Sequence, residues 1–216
     1  MSQRSPRHTA TVLVVGAWLW GCSSVLAPLP DPSRFYTLSP VVDAGGSDQR
    51  EPRTVIYGLG PIELPEYLDR NGLVERMSSA EVRYSPIDLW AEPLKTNLTR
   101  VLLQNLSSLL GHDRIVLYPW PGTVAVTYQV AVSILRFERT AAGEAQLRAR
   151  WAIRDPRSGE YLALEESNFV HPASSPKAAD AVDALSAALG DLSREIAAAL
   201  QKLPPPQQPP PAKKGA

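Results

Sequence analysis

One cysteine, three histidines and scattered serines are the side chains of this 216-residue chain with the makings of nucleophilic or metal chemistry. Cys22 is the single thiol. It directly follows Gly21, at the end of an apolar run over residues 11–20 that comes after Arg4 and Arg7. A charged n-region, an h-region of roughly 7–15 residues and a small residue before the cut make a secretory signal peptide. The run is too short for a bilayer span, which takes about 20 apolar residues. With one thiol, no disulfide can form within a single chain. The histidines offer less. His8 leaves with the signal, and His112 and His171 lie beside turn residues. There is no His-x-x-x-His and no paired acid–histidine spacing, so no metal site is expected. A Gly-x-Ser-x-Gly elbow is missing too. Ser174-Ser175-Pro176-Lys177 contains a Ser-x-x-Lys pattern, but its serines are better placed to cap the helix that follows. Gly58-Leu59-Gly60-Pro61 is too short for a phosphate loop and ends in a residue without an N–H, so it reads as a turn. No catalytic residue is expected.

The segment Leu19-Trp20-Gly21-Cys22 resembles the lipobox of bacterial lipoproteins, with Trp20 bulkier than the residue usual at that place. That resemblance implies a diacylglyceryl group on the Cys22 sulfur, cleavage before Cys22 and acylation of the new amine. Each buried methylene contributes roughly 0.8 kcal/mol, so several acyl chains on one residue hold durably where a single chain holds weakly. The covalent lipid is then the sole non-protein group, and no cofactor is expected. Ser23 follows the cysteine. An Asp there tends to retain lipoproteins at the inner membrane in enteric-type bacteria; its absence points to the outer membrane, periplasmic face.

The whole chain has 22 basic and 22 acidic residues. Losing Arg4 and Arg7 with residues 1–21 leaves 20 basic against 22 acidic residues, a net charge of about −2. That balance argues against nucleic acid as a partner, which calls for clustered Lys and Arg.

The elements must come from the remaining pattern. Residues 22–33 read as a lipidated tether, since prolines deny backbone donors and favour extended chain. Strands are expected over 34–38, 54–59, 73–77 and 81–84, with a loop over 40–52 and a helical turn within 61–69. Leu94, Leu98, Val101, Leu102, Leu106 and Leu109 recur at helical spacing and predict a helix over 89–110, capped by Asp88 and ended by Gly111. Alternation from Val124 to Ile134, from Leu147 to Arg154 and over 161–170 predicts an antiparallel meander. A second helix begins near Pro176, with Ser175 as its cap. It carries Val182, Leu185, Leu189, Leu192, Ile196 and Leu200 on one stripe. The fold class is therefore α+β: a two-layer domain over residues 34–202, antiparallel sheet packed against two amphipathic helices. Residues 203–216 are a Pro-rich disordered tail by composition.

Phe35-Tyr36-Thr37-Leu38, Leu64-Pro65-Glu66-Tyr67-Leu68-Asp69-Arg70, Trp90-Ala91-Glu92-Pro93-Leu94 and the stretch from Leu98 to Leu106 come in one order. In that order they resemble the ABC-type transport auxiliary lipoproteins, of which the PqiC-type membrane-integrity lipoproteins are one branch. The resemblance implies a non-enzymatic accessory of intermembrane lipid transport that supports envelope integrity. Its partners would be a mammalian-cell-entry (MCE) domain protein, the outer membrane through the lipid anchor, phospholipid and further copies of itself as a homo-oligomer. The alternative is a stand-alone envelope lipoprotein with a structural, wall-binding or assembly role. For partner binding the residues favoured are Leu64, Tyr67 and Leu68, apolar side chains set among Glu63, Glu66 and Asp69; a solvated loop is the plainer reading. Arg148, Arg150 and Arg154 share one strand face, which reads first as a wet side and second as a contact for acidic groups. Trp90 reads as a core residue.

Overall fold

The computed structural model describes residues 30–40, 55–111 and 114–204. The chain divides into a short unit, Met1–Pro32, almost all of it outside the described residues, and a main unit, Ser33–Ala216. Cys22, all but Pro40 of the loop expected over 40–52, His112 and most of the Pro-rich tail also lie outside them.

In chain order the elements are β1 (Arg34–Tyr36), β2 (Tyr57–Glu63), a 3-10 turn (Glu66–Leu68), β3 (Gly72–Arg76), β4 (Val82–Trp90), α1 (Leu94–Leu110), β5 (Ile115–Leu117), β6 (Tyr128–Thr140), β7 (Glu144–Arg154), β8 (Tyr161–Pro172) and α2 (Ala178–Gln201). The described strands form one sheet of eight. Alternation decides its faces. Val130, Val132, Ile134 and Phe137 of β6 and Leu147, Ala149, Trp151 and Ile153 of β7 turn to one side, where they form a single core with the stripes of α1 and α2. Gln129, Ser133, Arg136, Arg148, Arg150 and Arg154 take the other side.

The α+β class with two helices over one sheet is the one expected, and β6, β7 and β8 form the antiparallel meander. The rest of the sheet is mixed. β1 runs parallel to β4, β2 parallel to both β5 and β6, and β3 parallel to β6 and antiparallel to β4. The long crossover containing α1 makes β2 and β6 parallel neighbours, a pairing that alternation within each strand cannot announce.

Four local expectations are corrected. First, α1 starts at Leu94, because Asp88, Leu89 and Trp90 are spent as partners of β1. Pro93 is its N-cap and disfavours helical backbone at the residue before it. Asp88 caps nothing. It accepts from Ser85 Oγ at 3.0 Å and Tyr36 Oη at 3.3 Å and pairs with Arg34 at 3.0 Å. Second, Val124 and Val126 belong to a turn, in which the Val124 N–H binds Pro121 O; the strand begins at Tyr128. Third, Gly58–Pro61 lies inside β2. Gly58 is required there by contact, since a Cβ would fall 2.7 Å from the Trp120 ring. Fourth, Ser175 sits two residues before the N-cap Lys177, where its hydroxyl donates to Asp180 and accepts from the Lys177 N–H at 3.3 Å.

Candidate functional site

The loop after β2 was expected to show Leu64, Tyr67 and Leu68 to a partner, and it divides them. Leu68 is fully buried in the core and offers no surface. The 3-10 turn drives it inward, since one residue of a three-residue turn must face the sheet. Leu64 and Tyr67 are half-buried and pack against that core. Around Leu64, the side chains of Glu63, Glu66, Asp69 and Lys95 line a concavity of about 320 Å³. Three carboxylates against one amine make this concavity acidic.

Tyr67 is held more firmly than a solvated loop residue. Its hydroxyl donates to Leu135 O at 3.3 Å, in the bulge of β6, and its carbonyl accepts from Tyr84 Oη at 3.1 Å. The Arg76 guanidinium lies 5.5 Å from the centre of its ring. Arg76 in turn makes a two-pronged pair with Glu138, whose side chain has no exposed surface. Burial, with Glu138 close by, pushes the Tyr67 phenol up to about 12. The hydrogen bond to Glu138 raises the Arg76 guanidinium further. A buried carboxylate is tolerable only with such pairing, so this trio fastens the loop to the sheet. Sequence reading missed it, because Arg76 and Glu138 are 62 residues apart and meet only through the parallel pairing of β3 with β6.

The face of the sheet turned from the helices is the second feature. Pro61, Gln129, Ala131, Ser133, Ala152 and Leu164 are among the residues of a shallow concavity there of about 340 Å³, flanked by Glu63, Arg150, Arg154 and Tyr161. Glu166 accepts from Arg148 Nε at 2.6 Å and from Arg150 Nε at 2.7 Å. These two guanidiniums, Arg150 first, hold its carboxyl below the usual glutamate value. Arg154 Nε donates to Gln129 Oε1 at 2.7 Å.

The remaining polar clusters are ties between elements. His171 Nε2 lies 2.6 Å from Asp191 Oδ2, and Arg194 Nη1 donates to Asp191 Oδ1 at 2.6 Å, joining the end of β8 to α2. Ser186 Oγ donates back to Val182 O and accepts from the Ser39 N–H, so it is occupied as a packing group. The Ser175 hydroxyl of the Ser-x-x-Lys pattern is likewise tied to Asp180 and to backbone. Among the described residues no three His, Cys, Asp or Glu side chains are arranged to hold a metal ion. No helix among them is long and apolar enough to cross a membrane.

Similar proteins place this architecture. The chain is 30% identical over 99 residues to the intermembrane transport lipoprotein PqiC of Escherichia coli K12, a match covering 46% of this chain and 50% of that protein; PqiC of Shigella flexneri matches to the same extent. The chain thus spans about half the length of the curated relatives it matches. Among solved structures, a Xanthomonas campestris protein of the DUF330 family superposes with a TM-score of 0.67 at 15% identity, covering 79% of this chain and 98% of that one. An uncharacterised protein superposes with a TM-score of 0.64 at 20% identity, covering 78% and 98%. At those identities the two structures speak for the fold alone. The family described as the ABC-type transport auxiliary lipoprotein component matches residues 36–197, from the end of β1 to the last turns of α2, and the chain belongs to that family.

Proposed function

We propose that this protein is a non-enzymatic accessory of an MCE/ABC-type intermembrane lipid transport system. It is held at the periplasmic face of the outer membrane by acyl chains on Cys22 and supports envelope integrity. The observation that carries the reading is the family match over residues 36–197, a family described as an auxiliary component of transport. The sequence before it agrees: the lone thiol closes a signal-like apolar run, and Ser23 stands where an inner-membrane retention Asp would be. The acidic concavity around Leu64, beside Tyr67, is the surface assigned to the MCE partner. It pairs an apolar contact with three carboxylates, a combination that favours a basic, partly apolar epitope.

Deleting the gene tests the role. The deletion strain becomes sensitive to detergent, the native gene restores resistance, and a Cys22→Ala gene does not. Full resistance in the deletion strain overturns the reading. Restoration by Cys22→Ala as good as by the native gene removes the anchor from it.

A further inference from the structure

The outer face of the sheet carries more positive charge than the fold uses. Arg136 and Arg148 stand directly opposite each other across β6 and β7, an arrangement that like charges disfavour. Arg150 and Arg154 continue the row on β7. Glu166 is the carboxylate shared by Arg148 and Arg150, whereas Arg154 and Arg136 meet the neutral amides of Gln129 and Gln146. Glu63 lines the same concavity as Arg150 and Arg154, so the four guanidiniums of this face still outnumber Glu63 and Glu166, on a chain whose total formal charge is +0. Beside them on β8 stand Leu164, 69% exposed, and Tyr161, 62% exposed. Leu164 is in register with Ala152 on this same side.

We propose that this face is a docking surface for an anionic lipid membrane, its arginines meeting phosphates while Leu164 and Tyr161 enter the interface. Charge complementarity selects the occupant. Guanidinium matches phosphate geometry closely, and cations near an anionic leaflet are drawn to it with a force that salt screens. An aromatic ring with a polar tip and one aliphatic side chain suit the headgroup boundary. The shape agrees, being shallow, with Arg150, Arg154, Tyr161 and Leu164 along it and Glu63 as the carboxylate of its lining. The proposal rests on the lipid-anchored reading above, since the anchor keeps the chain beside a membrane and the cationic patch then sets which face meets it.

The test uses the full chain carrying Leu164→Cys, labelled with bimane and reconstituted into vesicles containing a spin-labelled lipid. One set is phosphatidylcholine alone, and the other is phosphatidylcholine mixed with phosphatidylglycerol. Labelling the chain without the substitution is the control for Cys22: uptake of bimane there shows a free thiol, and the anchor reading fails separately from this proposal. Quenching at position 164 is expected to be several-fold stronger with phosphatidylglycerol and to fall in high salt. The pair Arg150→Gln and Arg154→Gln should bring it down to the phosphatidylcholine level, while a label at Lys95 on α1 stays unquenched throughout. Equal quenching in both vesicle types, quenching that survives the double substitution, or equal quenching at Lys95 overturns the proposal. So does a protein cross-linked at position 164 in cells with no lipid quenching, which gives the face to a protein partner.

Discussion

Glu138 is a carboxylate with no exposed surface, and its pairing with Arg76 sets what this chain tolerates at the level of single residues. Removing one partner of a buried pair typically costs about 3–5 kcal/mol, because the other charge stays buried alone. Arg76→Ala should therefore lower stability by that much in urea unfolding, and Arg76→Met with Glu138→Leu should recover most of it. Tyr67→Phe keeps the ring against Arg76 and loses the bond to Leu135 O, a loss of about 0.5–1.5 kcal/mol. The phenol of Tyr67 is raised in the folded state, so its contribution is complete below the ordinary tyrosine value and disappears as pH rises through about 12. Glu166 has the opposite sign. Its carboxyl is depressed by Arg150 and Arg148, so its contribution is present above the ordinary glutamate value and is lost as pH falls through the depressed one. A carboxyl-carbon NMR titration should find Glu166 below the usual glutamate range, and Arg150→Ala should move it up.

Elements were legible where burial imposes a period and illegible where pairing decides. The stripes of α1 and α2 and the alternation of β6 and β7 follow from side chains that must reach one core, and they were readable as such. The start of α1 was not, because Leu89 and Trp90 satisfy both periods until β1 claims them. β5, with only Ile115, Val116 and Leu117, is too short to carry a period at all. The candidate loop was half legible: its charges do frame an apolar contact, but a three-residue turn hid Leu68 and a distant pair fixed Tyr67. Two element-scale consequences can be checked by thermal or urea unfolding. Leu98 and Leu102 have no exposed surface on α1, so replacing either by Ala should cost about 2–5 kcal/mol. Thr99, whose hydroxyl only returns to Lys95 O, should change stability by about 0.5 kcal/mol or less when replaced by Ala. Gly58→Ala drives a methyl into Trp120 and should cost about 1–3 kcal/mol, eased by shrinking Trp120 in the same chain.

At the scale of the whole molecule the charges are sorted although they balance. Glu63, Glu66 and Asp69 gather in the concavity by Leu64, whereas on the open sheet face Arg136, Arg148, Arg150 and Arg154 outnumber Glu63 and Glu166. In the proposed role the first meets a protein partner and the second meets lipid. Docking to an MCE-domain protein is the step on which the proposed role depends. The most direct measurement is binding of the purified, lipidated full chain to the periplasmic part of that partner, with Glu66→Lys and Asp69→Lys compared against the native sequence. The account predicts saturable binding that weakens with salt and falls at least tenfold in the double substitution, with an unchanged melting temperature. No binding by the native chain would contradict it, and the stand-alone envelope lipoprotein would then be the better description.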